Sequence, residues 1–202
     1  DFEFDSKRFR IPPRVARQVD PVQQIALHAV YDALKDARLQ TDRRDKDGRP
    51  FDRERCGVIF GNSLGGELKD DYALRLGWPE IREKMASSEV LKALPTAQRE
   101  QLLADLEKTY KEGLPEIDED SMPGELANVI AGRIANAFDL RGPNFTTDAA
   151  CASSLAALQV AVKALQDRDI DLAITGGSDR SMNIPTYVKF CKIGALSPDH
   201  SS

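Results

Sequence analysis

Histidine and cysteine are both scarce, with two and three residues in a chain of 202. Cys56, Cys151 and Cys191 are odd in number and widely spaced, and no CxxC pair or Cys/His cluster occurs. Neither a disulfide framework nor a zinc site is expected, and a reduced, cytoplasmic setting fits best. Positive charge is also short: 28 Lys+Arg stand against 33 Asp+Glu, a net charge of −5. No basic cluster with interleaved aromatics occurs, which argues against a nucleic-acid or anionic-membrane surface. No apolar run approaches the roughly 20 residues of a membrane span. The first residues are charged and carry no apolar h-region, so no signal peptide is expected in them. The chain starts without Met and stops in the polar Asp199-His200-Ser201-Ser202. It therefore reads as an internal piece of a longer polypeptide.

What is present is the ordinary apolar and charged content of a globular domain, enough for a substantial core. Residues 1–19 read as an irregular lead-in. Asp20-Pro21 then opens a helix, with Asp as cap and Pro in the first turn. Val22, Ile25, Ala26, Ala29, Val30 and Ala33 recur at helical spacing as far as about Leu39. Residues 41–55 are charged and turn-rich. Cys56-Gly57-Val58-Ile59-Phe60 reads as a buried strand, followed by a tight glycine-rich loop at residues 61–66.

Residues 67–112 are charged and mostly helical, broken at Gly77, Pro79 and Pro95, and 113–120 is an acidic connector. With it, about 67–122 forms a helical excursion over a core. A second helix is expected from about Pro123 to Phe138, a short strand over 144–148, and a nearly all-apolar helix over about 151–166, buried on most of its surface. Residues 170–175 form another buried strand, closed by a turn at Gly176-Gly177. Strands alternating with helices argue a layered α/β fold.

The strongest chemical feature is Thr146-Thr147-Asp148-Ala149-Ala150-Cys151-Ala152-Ser153-Ser154-Leu155. A strand runs into a sharp turn that places Cys151 at the mouth of a helix. The unpaired N–H groups there favour a thiolate nucleophile and can stabilise an oxyanion on a thioester carbonyl. Ala149, Ala150 and Ala152 leave room for an acyl chain. The alternative reading of the same residues is a small buried hydrophobe.

The segment from Asp148 to Leu158 closely resembles the active-site signature of β-ketoacyl synthases, the condensing enzymes of polyketide and fatty-acid synthases. Asp20-Pro21-Val22-Gln23-Gln24, Gly57-Val58-Ile59-Phe60-Gly61, Ala131-Gly132-Arg133-Ile134 and Leu140-Arg141-Gly142-Pro143 resemble further stretches of that family in order. So do Asp171-Leu172-Ala173-Ile174-Thr175-Gly176-Gly177 and Gly194-Ala195-Leu196-Ser197-Pro198-Asp199. The resemblance implies the N-terminal half of a thiolase-like layered fold, α-β-α-β-α, usually in a homodimer. It implies decarboxylative Claisen condensation of an acyl thioester with a malonyl-type thioester. Cys151 would be both nucleophile and backbone N–H oxyanion donor. No cofactor is bound directly. The partner would be an acyl carrier protein, whose phosphopantetheine arm carries the substrates. The family also uses two histidines and a lysine from its second half. His28 and His200 stand at positions that do not match them, so the chain carries only part of such a site. The signature reads Ala-Ala-Cys-Ala-Ser-Ser where polyketide relatives commonly have Thr-Ala-Cys-Ser-Ser-Ser.

The remaining features read as structural. Residues 61–66 lack the Lys-Ser/Thr of a phosphate loop. Cys56 and Cys191 have no activating neighbour in sequence. Glu116, Asp118, Glu119 and Asp120 read as a solvated acidic loop. Two rival functions are a thiolase and a non-catalytic dimerisation or chain-length partner. The ending at residues 194–199 favours the synthase over the thiolase, and the presence of Cys151 counts against an inactive partner.

Overall fold

The computed structural model describes residues 3–180 and 183–197. In chain order the elements are α1 (Pro13–Ala16), α2 (Pro21–Asp36), β1 (Cys56–Gly61), α3 (Leu68–Leu76), α4 (Trp78–Ala86), α5 (Glu89–Lys92) and α6 (Thr96–Lys111). There follow α7 (Ser121–Glu125), α8 (Val129–Ala137), β2 (Asn144–Thr147), α9 (Ser153–Gln166), β3 (Leu172–Gly177) and α10 (Ile184–Lys192). They form two compact units: Asp1–Glu67 with Asp120–Ser202, and Leu68–Glu119.

The first unit is built on a parallel sheet of order β2-β1-β3. β1 lies in the centre, with Val58 opposite both Asn144 and Ile174. All six of its residues are buried, which explains its continuous apolar run. Side chains alternate between the two faces of a strand. Cys56, Val58 and Phe60 pack with Ala26, Leu27 and Val30 of α2 and Ile130 and Ile134 of α8, whereas Ile59 packs with Ala157 and Ala161 of α9. The sheet is thus covered by α2 and α8 on one face and by α9 on the other.

α2 begins where expected: the Asp20 carboxylate accepts the Val22 N–H at 2.8 Å, with Pro21 in the first turn. It ends at Asp36, short of Leu39. Arg38 takes φ +56, and the N–H groups of Arg38 and Leu39 turn back to the carbonyls of Lys35 and Leu34. This double return is a Schellman motif with arginine in the place usually held by glycine.

The single helix expected over 123–138 is instead two, α7 and α8, with Leu126 extended between them. Distant side chains and backbone claim the carbonyls that would have continued it. The Gln23 amide donates to Gly124 O at 2.8 Å and to Pro123 O and Leu126 O at 3.2 Å, and Asp20 N donates to Gly124 O at 3.0 Å. Arg133 holds the Gln23 side-chain oxygen at 2.6 Å. Gly124 is required here, because a Cβ would overlap the carbonyl of Gln18.

Three further expectations change. β3 starts at Leu172 and includes Gly176 and Gly177, whose partners are Phe60 and Gly61. The glycines are therefore strand rather than turn, and a Cβ at Gly177 would sit 2.9 Å from the Ser154 side chain. α9 starts at Ser153, so Cys151 precedes it. α9 is not buried on most of its surface: Ser153, Ala157 and Ala161 are buried, whereas Leu155, Leu158, Val160, Val162 and Leu165 are exposed. Small residues form the one stripe that meets the sheet, and the large aliphatic side chains point away from it.

The second unit comprises α3 to α6. The Trp78 ring of α4 packs at a tilt, centroids 5.2 Å apart, against Tyr110 of α6, whose hydroxyl donates to Leu74 O at 3.1 Å. Arg75 holds Glu116 at 2.7 Å and the carbonyl of Leu114 at 3.2 Å.

Candidate active site

β2 ends at Thr147 and α9 begins at Ser153, so five residues turn the chain from strand to helix at the C-terminal edge of the sheet. The Asp148 carboxylate accepts the Ala150 N–H at 2.9 Å, the local bond for which Asp is favoured in turns. Ala150 takes φ +51. A side chain in that left-handed region costs about 1–2 kcal/mol and persists only where the surroundings hold it. Here they do. Ala152 N donates to Ala149 O and Ser153 N to Ala150 O, each at 3.0 Å. The Ser153 hydroxyl accepts from Ala149 N at 2.9 Å and donates to Ala150 O at 2.6 Å. Thr147 Oγ1 donates to Ser153 O at 3.1 Å. Beneath the turn, a Cβ at Gly61 would overlap the Ser153 backbone.

At the crest of this turn the Cys151 thiol is exposed. The residue capping α9 is Ala152, which offers no side-chain oxygen. The positive end of a four-turn helix therefore faces the turn without a side-chain cap. The other two cysteines differ. Cys56 is fully buried on β1, and burial pushes its thiol up to about 11, opposed by the smaller effect of Arg53. Cys191 is exposed in the last turn of α10, so it is a surface thiol rather than the structural one expected.

The ends of all three strands are tied together beside the turn. Asn62, 4% exposed, donates its backbone N–H to Thr147 O at 3.1 Å and its side-chain amide to Ser178 O at 2.8 Å. Its Oδ1 accepts Gly65 N at 2.8 Å, and Ser178 N returns to Gly61 O at 3.2 Å. The loop at 62–66 is thus a turn locked by Asn62. At Gly66 a Cβ would collide with the Asp20 carboxylate. Leu64 and Asp179, which follow β1 and β3, line a cavity of about 210 Å³ together with Thr186, Tyr187, Phe190 and Leu196. In a parallel sheet the C-terminal strand ends share one edge, so Leu64 and Asp179 of this cavity follow the same edge as Cys151.

His28 is not part of this cluster of bonds. It lies on α2 with its ring edge-on to Phe4 and Phe9, and burial, then the Arg8 guanidinium, holds its imidazole below the ordinary value. His200 and the Pro198-Asp199 of the terminal stretch lie outside the described residues. Glu116 is ion-paired to Arg75, and Asp120 lies 3.6 Å from Arg14. Sequence reasoning singled out Cys151 but not Ser153 or Asn62, which fix its surroundings. Both are polar residues within or next to a glycine-rich or alanine-rich turn, and that is the signal that marks them.

The family model described as β-ketoacyl synthase, N-terminal domain, matches residues 1–202. The chain is 32% identical to a polyunsaturated fatty acid synthase polypeptide of a Thraustochytrium species, over 100% of this chain and 7% of that protein. It is 33% identical to the non-reducing polyketide synthase gsfA of Penicillium aethiopicum, over 96% of this chain and 8% of that protein. Among solved structures, the ketosynthase from module 6 of the bacillaene synthase of Bacillus subtilis 168 superposes with TM-score 0.62 at 24% identity, covering 97% of this chain and 25% of that one. An oxazolomycin ketosynthase domain of Streptomyces albus gives TM-score 0.61 at 25% identity, covering 97% and 26%. The chain therefore spans under a tenth of these curated relatives and about a quarter of these solved structures.

Proposed function

The chain belongs to the β-ketoacyl synthase family, as its N-terminal domain with a thiolase-like α/β fold, and from that premise we propose that it carries the nucleophile of a decarboxylative condensing enzyme. Cys151 is that nucleophile. The thiolate attacks the carbonyl of an acyl thioester on a carrier phosphopantetheine arm. A carbon–sulfur bond to Cys151 forms, the bond to the carrier sulfur breaks, and the carrier thiol leaves with the proton that Cys151 gave up. A malonyl-type thioester then loses CO2, and its carbanion attacks the Cys151 acyl thioester. The new carbon–carbon bond forms as the Cys151 sulfur leaves, giving a β-ketoacyl thioester on the carrier. The backbone N–H of Cys151 donates to the oxyanion formed in both additions.

The observation that carries this reading is the exposed Cys151 thiol on a braced strand-to-helix turn, at the uncapped end of α9. The cavity at the same sheet edge, apolar through Leu64, Phe190 and Leu196, suits an acyl chain. The partner is an acyl carrier protein. The working enzyme is a cytoplasmic homodimer, with about 67–122 as a helical excursion of the 1–202 region. The groups that assist decarboxylation come from the family's second half.

The test is Cys151→Ala in the full-length protein, measured as β-ketoacyl product formed from acyl and malonyl thioesters. The expected loss is about 10³-fold or more, the scale on which removing a covalent nucleophile acts. Condensation at an unchanged rate would refute the assignment.

A further inference from the structure

Ser153 performs two tasks at once within the turn. Its hydroxyl accepts from the N–H of Ala149 and donates to the carbonyl of Ala150, at 2.9 and 2.6 Å. The first group belongs to the peptide between Asp148 and Ala149, the second to the peptide that carries the Cys151 N–H. Ser153 is itself immobilised, because its carbonyl receives Thr147 Oγ1 and its backbone rests on Gly61 where not even a methyl group fits. Ser153 as a whole is buried, at 5% exposure, so its side chain is held by what surrounds it. The strand end and the helix start are thus bridged by the Thr147 and Ser153 hydroxyls, and the strained residue between them is Ala150.

We infer that Ser153 is a positioning residue for Cys151: its hydroxyl clamps Ala150 in the left-handed conformation that points the thiol and the N–H of Cys151 to one reaction centre. Without the hydroxyl, the N–H of Ala149 loses its partner and the Ala150 carbonyl loses one of its two donors, so only the Asp148 carboxylate and the Ser153 N–H still restrain Ala150 against the negative φ that its side chain prefers. A rotation there swings the following peptide, which carries the Cys151 N–H, and shifts the thiol with it. Displacement of a nucleophile by about 1 Å slows attack by up to about 100-fold without weakening substrate binding. Ser153 does not touch the reacting atoms and transfers no proton. It acts through backbone geometry alone. The inference rests on Cys151 being the acylated residue.

The experiment measures self-acylation of the full-length protein by hexanoyl-N-acetylcysteamine thioester, for wild type, Ser153→Ala and Ser153→Thr. Thermal unfolding is followed in parallel. The expected result for Ser153→Ala is a maximal acylation rate reduced by ~10- to 100-fold, with half-saturating thioester concentration unchanged and the unfolding midpoint modestly lowered by the two lost hydrogen bonds. Ser153→Thr, which keeps a hydroxyl at the same carbon, restores most of the rate. Wild-type acylation by Ser153→Ala would overturn the positioning role alone. So would equal losses in the Ala and Thr variants, which would point to packing rather than to the hydroxyl. A wild-type protein that never acylates at Cys151 would instead overturn the functional reading, and the positioning role with it.

Discussion

Cys56 opens the central strand at one edge of the sheet, whereas Cys151 follows an outer strand at the opposite edge. The two thiols respond differently to their surroundings. Cys56 has no exposed surface, and burial raises its thiol from 9.0 to about 11. A raised thiol pKa means the folded state holds that proton more tightly than the unfolded chain. The stabilisation is full below pH 9 and is lost as pH rises towards 11. Stability measured by urea unfolding is therefore expected to fall across that window, with a shallower fall in Cys56→Ala. Iodoacetamide at pH about 8 should label Cys151 and Cys191 in the folded protein and reach Cys56 only on unfolding. Labelling of Cys56 at the rate of the exposed thiols would contradict this burial. In sequence the three cysteines differ only in their neighbours. The signature around Cys151 was legible, and so was the apolar run around Cys56. The surface position of Cys191 was not, because α10 presents both apolar and polar residues to solvent.

Among the elements, the turn before α9 depends on β1 lying directly beneath it. Gly61→Ala would drive a methyl group into the Ser153 backbone. Overpacking against backbone costs about 3 kcal/mol, read as a lower urea midpoint, and acylation of Cys151 should fall with it. An unchanged midpoint would mean that β1 and the turn are not in the contact described. The same scale explains which elements the sequence revealed. β1 and the start of α2 follow from local signals: an apolar run, and an Asp-Pro cap. The break between α7 and α8 does not. It is imposed by Gln23 and Asp20, about 100 residues earlier, which take the carbonyls that a continuous helix would have used. The inclusion of Gly176-Gly177 in β3 is likewise set by pairing with Phe60 and Gly61, not by the propensity of glycine for turns.

For the whole molecule, the informative feature is the outer face of α9. Leu155 is 68% exposed, and Leu158, Val160, Val162 and Leu165 are exposed with it. Ile184 and Val188 of α10 and Ile193 just after it are exposed as well. The apolar sequence of α9 implied burial on most sides, and within this chain only its alanine stripe is covered. An apolar face of this extent is of the kind that another part of a longer protein covers. Residues 1–202 expressed alone are expected to bind a hydrophobic dye and to self-associate. Leu155→Glu with Leu158→Glu should suppress both in the isolated region, and should destabilise the full-length protein by several kcal/mol through buried, unpaired charge. A full-length protein indifferent to both charges would show that this face is solvent-exposed in the intact protein.

The central claim, that Cys151 is the acyl acceptor, is tested most directly by incubating the full-length protein with a short acyl thioester and mapping the modified peptide by mass spectrometry. The account predicts an acyl group on Cys151, with Cys56 and Cys191 unmodified and the label lost in Cys151→Ala. An acyl group on Cys191 instead, or no labelled peptide at all, would contradict it.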